Sequence, residues 1–307
     1  MFQGAFRPFL YGWGAPFFNV LNNLFDYSTE SHNKIQRKDT QDMERKPRKQ
    51  LLSILLCVAL VFSMFPQTIL AAESDGSADN DVVEISKKEY VLAPDITEYE
   101  LVTNNRSLSR QQVGHVMEVK LGSNAQIRVG YSDYNVDAIK SGSNWAMTKP
   151  TEQAANAEAR TGLNVVGAVN GDFFNMANGC PSGMTIMQGT VIRDANSSCF
   201  WIDDKNGAHI SASSAAMKEE ATEQDLEVVE CIGGGTILLE NGQKTADSSS
   251  YGETENPRTV VGIRADGTVI IYMVDGRQSP YSVGMSYGDL ADILLELDCV
   301  DGINLDG

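Results

Sequence analysis

The sequence predicts an α+β fold, a sheet-rich single domain of hairpins and mixed strands with a few packing helices, preceded by a signal peptide. Three observations predict it. From Val113 onward the chain is a series of short β-type runs separated by turn chemistry, only two stretches read as helices, and a basic, apolar leader precedes an acidic body.

The leader begins at Met43. Arg45, Lys46, Arg48 and Lys49 precede the apolar run Leu51–Phe65, which Pro66 ends, and Ala71-Ala72 precede Glu73. A basic stretch, a short apolar core and a small-residue exit are the parts of a secretory signal, and the core falls short of the roughly twenty residues that span a bilayer. Residues 43–72 therefore read as a signal peptide, with a membrane association only through this segment if it stays uncleaved. Residues 1–42 are aromatic-rich without a helical or strand period and read as a doubtful upstream segment, so translation is expected to start at Met43. Residues 73–110 are polar and acidic and read as a linker or an edge element. The domain proper is expected over 111–307.

Within it, Val113–Leu121 alternates, Ile127–Tyr131 follows, and Gly162–Asn170 holds a third apolar run. Thr185–Met187 and Thr190–Ile192 flank Gln188-Gly189, a two-residue hairpin signal. Phe200–Ile202 and Ala208–Ser211 flank Asp203–Gly207, Thr236–Leu239 runs into Glu240-Asn241-Gly242, and Val260–Arg264 and Thr268–Val274 flank Ala265-Asp266-Gly267. Thr151–Thr161 reads as a helix, with Pro150 at its start and Gly162 just past its end. Ser286–Leu297 reads as a second: Ser286 and Asp289 stand in capping-box spacing, and Leu290, Ile293, Leu294 and Leu297 share one face that packs on the sheet.

The 307 residues carry a formal charge of −17. Of the 24 Lys/Arg, eight precede Glu73, whereas only five of the 41 Asp/Glu do, so the acidity belongs to the body. Such a body lacks the electrostatic footprint of nucleic-acid binding, and none is expected as a partner. Beyond Cys57 in the leader stand Cys180, Cys199, Cys231 and Cys299. An even number in an exported chain permits two disulfides in any of three connectivities, or four buried thiols. No CxxC pair marks a zinc site, and no GxSxG marks a serine hydrolase.

Four polar clusters carry the chemistry, each read as following an apolar strand: Asn170-Gly171-Asp172-Phe173-Phe174, Asn256-Pro257-Arg258-Thr259, Asp275-Gly276-Arg277 and Asn304-Leu305-Asp306-Gly307. Each alone is an ordinary turn. In this order and spacing, over about Gln111 to Gly307, they resemble the phosphodiester glycosidase family, most sharply in VNGDFF, NPRTVVGI, MVDGR and GINLDG. The family pattern continues past the last motif, so the chain is expected to be a fragment, incomplete at its C-terminus. Gly233-Gly234-Gly235-Thr236 resembles a phosphate loop, but no Walker lysine follows.

The resemblance implies a glycosidase that breaks the anomeric C–O bond of sugar-1-phosphodiesters of the N-acetylglucosamine-1-phosphodiester kind. The leaving phosphomonoester has a second pKa near 6, so it needs its negative charge received more than it needs a proton. A guanidinium forks onto phosphate oxygens, and Arg258 and Arg277 are the arginines in the clusters. The anomeric carbon gains positive charge, which a carboxylate stabilises, attacks, or serves by activating water. Asp306, Asp275 and Asp172 are the candidates, with Asp306 and Asp275 favoured; nucleophile and base are not distinguished. Asn170 and Asn304 are expected to bond sugar hydroxyls or orient the carboxylates. No cofactor is assigned with certainty, and carboxylates without paired histidines leave room for a hard divalent cation such as Ca²⁺ at no assigned place. The expected partner is a sugar-phosphate polymer or glycan, outside the cell or at its envelope. The alternatives are a non-catalytic wall- or carbohydrate-binding module of the same fold, and a metal-dependent phosphodiesterase cutting the P–O bond.

Overall fold

The structure, a computed structural model, describes residues 17–22, 82–105, 110–142, 145–245 and 252–307. The chain divides into two units, Met1–Leu24 with Asn80–Gly307, and Phe25–Asp79. The second unit lies outside the described residues, as do the signal-peptide stretch 43–72 and all of 1–42 except Phe17–Asn22.

In chain order the strands are β1 (Phe17–Asn22), β2 (Val82–Ala93), β3 (Ile96–Asn105), β4 (Arg110–Val119), β5 (Ala125–Gly130), β6 (Asn164–Asn170), β7 (Thr185–Met187), β8 (Thr190–Arg193), β9 (Cys199–Asp203), β10 (Ala208–Ser211), β11 (Val228–Gly233), β12 (Ile237–Glu240), β13 (Gln243–Lys244), β14 (Arg258–Arg264), β15 (Val269–Val274) and β16 (Cys299–Asn304). The helices are α1 (Val136–Lys140), α2 (Pro150–Thr161), α3 (Ser214–Glu223) and α4 (Tyr287–Glu296).

Eight strands form one sheet in the order β13-β12-β16-β14-β15-β4-β3-β2, five form another in the order β10-β9-β11-β7-β8, and β5-β1-β6 form a third. Neighbours pair antiparallel throughout, the arrangement that hairpins produce. The acidic stretch expected as a linker or edge element contains the β2–β3 hairpin, which borders the large sheet. Phe17–Asn22, in a stretch without a strand period, pairs with β5 on one side and β6 on the other.

The two-residue turns follow from their residues. Gln188 and Gly189 have φ of 50° and 72°, and Asn241 and Gly242 have 52° and 74°. Positive φ at both central positions matches the right-handed twist of the flanking strands, and Asn and Gly adopt it at low cost. Pro150 opens α2 and Gly162, at φ 72°, closes it, while Ser286 and Asp289 form a reciprocal capping box on α4.

Period-2 alternation divides the large sheet into two faces. Val269 and Ile271 of β15, with Val261 and Ile263 of β14, enter a core shared with Phe200, Ile202 and Ile232 of the five-stranded sheet. Ile270, Tyr272 and Val274 point the other way, onto Leu290, Ile293 and Leu294 of α4. On the far face of the smaller sheet α3 covers Cys199, Trp201 and Cys231 with Met217 and Ala221. Helices α1 and α3 have no counterpart in the sequence reading. The buried stripe of α3 is Ser214, Met217 and Ala221, too small and polar to show a helical period.

Candidate active site

Strand β14 runs antiparallel to both neighbours, so its first residue lies at the same edge as the last residues of β15 and β16. Arg258 pairs with Val274, and Val260 with Asn304. Here the sequence reading needs a correction: Asn256–Thr259 opens its strand rather than following one. The consequence is convergence, because an opening on β14 and exits from β15 and β16 meet on one rim. The exit of β6 joins them through the Asp306 amide, which donates to the Gly171 carbonyl at 2.8 Å. The clusters also abut directly. A Cβ on Gly307 would fall 2.5 Å from the Pro257 carbonyl oxygen, and one on Gly276 would fall 2.3 Å from the Pro257 nitrogen.

At the β6 end of this rim the structure couples two carboxylates. Asp172 is 1% exposed, and its Oδ2 accepts from the Gly183 amide. Burial pushes its carboxyl up to about 7, against the pull of the Gly183, Phe173 and Ser182 amides, and the charge of Asp306 pushes the same way. Burial also raises Asp306, which is less buried, with the Gly307 amide pulling it back. The cradle around Asp172 depends on two glycines set back to back. A Cβ on Gly233 would lie 2.6 Å from the Gly183 Cα and 2.9 Å from Asp172 Oδ2, and one on Gly183 would lie 2.8 Å from the Gly233 Cα. The Gly233–Gly235 run noted in the sequence therefore packs beside a carboxylate.

Next along the rim, Asn304 is 1% exposed. Its Nδ2 donates to the Leu305 carbonyl at 2.8 Å and to the Tyr287 hydroxyl at 3.3 Å, while its Oδ1 is a buried acceptor without a hydrogen-bond donor. A buried acceptor left unmade is costly, and such atoms recur where a ligand supplies the partner. Arg258 is buried beneath. Its Nε donates to the Met285 carbonyl at 3.3 Å and its Nη2 to the Thr254 carbonyl at 2.9 Å, and the guanidinium lies 4.4 Å above the Tyr287 ring.

At the β15 end, Arg277 is exposed and turns Nε and Nη2 onto Asn256 Oδ1, at 3.1 and 2.7 Å. Its φ of 58° lifts the chain away from the sheet. Asp275 Oδ2 accepts from the Tyr281 hydroxyl at 3.1 Å. Strand β14 separates Asp275 from β16, so the carboxylates brought together are Asp172 and Asp306, and Asp275 stands apart with Arg277. Asn170, half-buried, ends β6 two residues before Asp172.

The four clusters thus form one contiguous site at the edge where β14, β15, β16 and β6 meet, and the same part of the chain is recognised by sequence. Residues 163–307 match the phosphodiester glycosidase family. The phosphodiester glycosidase match takes in β6 to β16 and with them all four clusters, as the resemblance implied. Among solved structures, the zebrafish N-acetylglucosamine-1-phosphodiester alpha-N-acetylglucosaminidase catalytic domain, auto-inhibited by pro-peptide, is similar over 73% of this chain and 76% of that one, at 17% identity and a TM-score of 0.54. At that identity the likeness shows the fold. A Synechocystis hypothetical protein is similar over 70% of this chain and 56% of that one, at 12% identity and a TM-score of 0.40. A Burkholderia pseudomallei K96243 protein described as exported is similar over 75% and 91%, at 10% and 0.42. No curated protein matches the chain.

Three site neighbours escape the sequence reading. Gly183 stands in an unremarkable Pro-Ser-Gly, Tyr287 reads as the first residue of a helix, and Tyr281 belongs to no cluster. Among the described residues no group of three or more His, Cys, Asp and Glu is placed to hold a metal ion.

Proposed function

We propose that this protein hydrolyses the anomeric C–O bond of sugar-1-phosphodiesters, of the N-acetylglucosamine-1-phosphodiester kind, on extracellular or cell-envelope glycopolymers. The observation that carries the reading is the Asp172–Asp306 pair, set on one rim with an exposed arginine, inside the region that matches the phosphodiester glycosidase family. Burial raises both carboxyls, and the charge of Asp306 raises Asp172 further, so Asp172 is the one that keeps its proton up to about pH 7. The charge settles on the less buried Asp306, which stabilises or attacks the anomeric carbon, while Asp172 keeps the proton behind it. Asn304 Oδ1 accepts a hydrogen bond from the sugar. Arg277 receives the departing phosphate, which leaves with little need of an acid. Arg258 braces the floor through Thr254, Met285 and Tyr287. The expected export through residues 43–72 places the enzyme at its polymer.

The test is hydrolysis of N-acetylglucosamine-1-phosphate methyl diester by the full-length protein in ¹⁸O-labelled water. Label in the released sugar is expected, together with a loss of about 10³-fold in kcat for Asp306→Asn. Label in phosphate would mean P–O cleavage, and no release across a panel of sugar diesters would mean a binding module.

A further inference from the structure

A second group of cations lies away from the rim. Strands β7 and β11 pair antiparallel, so Gln188 and Val229 stand at one end of them while Gly183 and Gly233, the glycines beside Asp172, stand at the other. At the Gln188 end a cavity of about 650 Å³ opens between β5, the start of α1, the end of α2, the β7–β8 turn and β11, and Arg128, Arg160 and Asp137 form part of its wall. In a chain of formal charge −17, two arginines on one cavity concentrate positive charge where the general field opposes it.

Arg128 is fixed before any ligand arrives. Its Nε and Nη2 donate to Gln126 Oε1 at 3.3 and 3.0 Å, and its Nη1 donates to Glu230 Oε1 at 3.0 Å. Glu230 is itself buried and accepts from the Val129 and Gln188 amides at 3.0 and 3.3 Å. A guanidinium has more N–H groups than these bonds use, so donors remain on both Nη atoms of Arg128. Arg160 Nε donates to the Asp133 carbonyl at 2.6 Å and its Nη2 to Asp133 Oδ2 at 3.3 Å, while its Nη1 has no acceptor among the described residues. Planar donors that are held in place and left partly unclaimed suit the oxygens of a tetrahedral oxyanion.

Asp137 narrows the choice of anion. Its carboxylate is exposed in the first turn of α1 and has no hydrogen-bond donor among the described residues. Sulfate carries no proton and meets a like charge there, whereas hydrogen phosphate keeps an O–H that a carboxylate accepts. We infer that this cavity binds hydrogen phosphate, with Arg128 and Arg160 receiving its charge and Asp137 accepting from its O–H. The inference does not depend on the proposed hydrolysis.

The test is calorimetric titration of the full-length protein with inorganic phosphate and with sulfate at pH 7.5, in an Arg277→Ala background that removes the exposed arginine of the rim. Phosphate is expected to bind about tenfold tighter than sulfate, the worth of one hydrogen bond to a charged group. Asp137→Asn should close the gap, because an amide donates to sulfate as readily as it accepts from phosphate. Arg160→Gln should weaken both anions about tenfold, and Arg128→Lys, which keeps a cation beside Glu230 but loses the fork, should do the same. Asp137 and Arg160 are exposed, so their variants should melt with the parent and report on the anion alone. No phosphate binding, equal affinity for the two anions, a gap that survives Asp137→Asn, or an affinity unmoved by Arg160→Gln overturns the inference.

Discussion

Asp172 combines two demands that pull against each other. Three backbone amides favour its charge, and burial beside a second carboxylate opposes it; burial is the larger and leaves the group near 7. Glu230 is likewise raised to about 7 by burial, although Arg128 and the Val129 and Gln188 amides bond to it. A carboxyl whose folded value lies above its unfolded one binds its proton more tightly when folded. Its contribution is therefore complete below about pH 4 and is lost as pH rises through 7, at most about 4 kcal/mol for Asp172. The melting temperature of the wild type should fall between pH 5 and 8, Asp172→Asn should remove part of that slope, and Glu230→Gln should remove another part. A flat wild-type profile across that window would sink the assignment. The sequence marks Asp172 through its neighbours Asn170 and Gly171, yet it contains no sign of the coupling to Asp306, which depends on a contact across more than a hundred residues. Burial of Arg258 is hidden for the same reason, because its carbonyl partners Thr254 and Met285 lie in loops whose shape only tertiary packing defines.

Helix α4 rides on a pair of glycines. Gly262 of β14 and Gly302 of β16 face each other across the sheet, and a Cβ on either would come within 3 Å of a Leu294 methyl, at 2.9 and 2.5 Å. Gly302→Ala should destabilise the fold by about 1–3 kcal/mol through overpacking, seen as a lower urea midpoint with an unchanged slope. Gly122→Ala is the control: a Cβ there meets nothing within 4 Å, and its effect should stay within about 0.5 kcal/mol. An effect at Gly302 as small as that at Gly122 would show that Leu294 has room to move. Elements of this kind separate into legible and illegible ones for physical reasons. The hairpins at Gln188-Gly189 and Asn241-Gly242 and the helix caps at Pro150, Gly162 and Ser286 depend on local backbone chemistry, and local sequence shows them. The direction in which Asn256–Thr259 joins its strand, and the placement of Phe17–Asn22 between β5 and β6, depend on distant partners.

For the molecule as a whole, the four cysteines of the body are free and buried, which matches one of the two readings that their even number allowed. Cys199 and Cys231 neighbour each other under α3, whereas Cys180 lies near Asp172 and Cys299 near Arg264. Burial pushes the Cys299 thiol up to about 12 and raises Cys180 and Cys231 as well. Thiolate is the reactive form, so iodoacetamide should label none of the four in the native protein and all four in denaturant. A native-state adduct would show that one of them reaches solvent. The acidic surplus of the chain makes exposed Arg277 a local exception, and an anion finds it against the general field.

The pairing of β4 with β15, in which Val119 lies opposite Val269, sets a schedule as well as a shape. On the ribosome, at about 5–20 residues per second, β4 emerges roughly 8 to 30 seconds before the strand that completes it. For that interval the β2–β4 ribbon has an open edge of unpaired amides and carbonyls, the kind of edge that recruits other chains. Sheet closure must wait for β14 and β15, and the rim of clusters for β16, so a nascent chain gains its chemistry in one late step and depends until then on being kept from its neighbours.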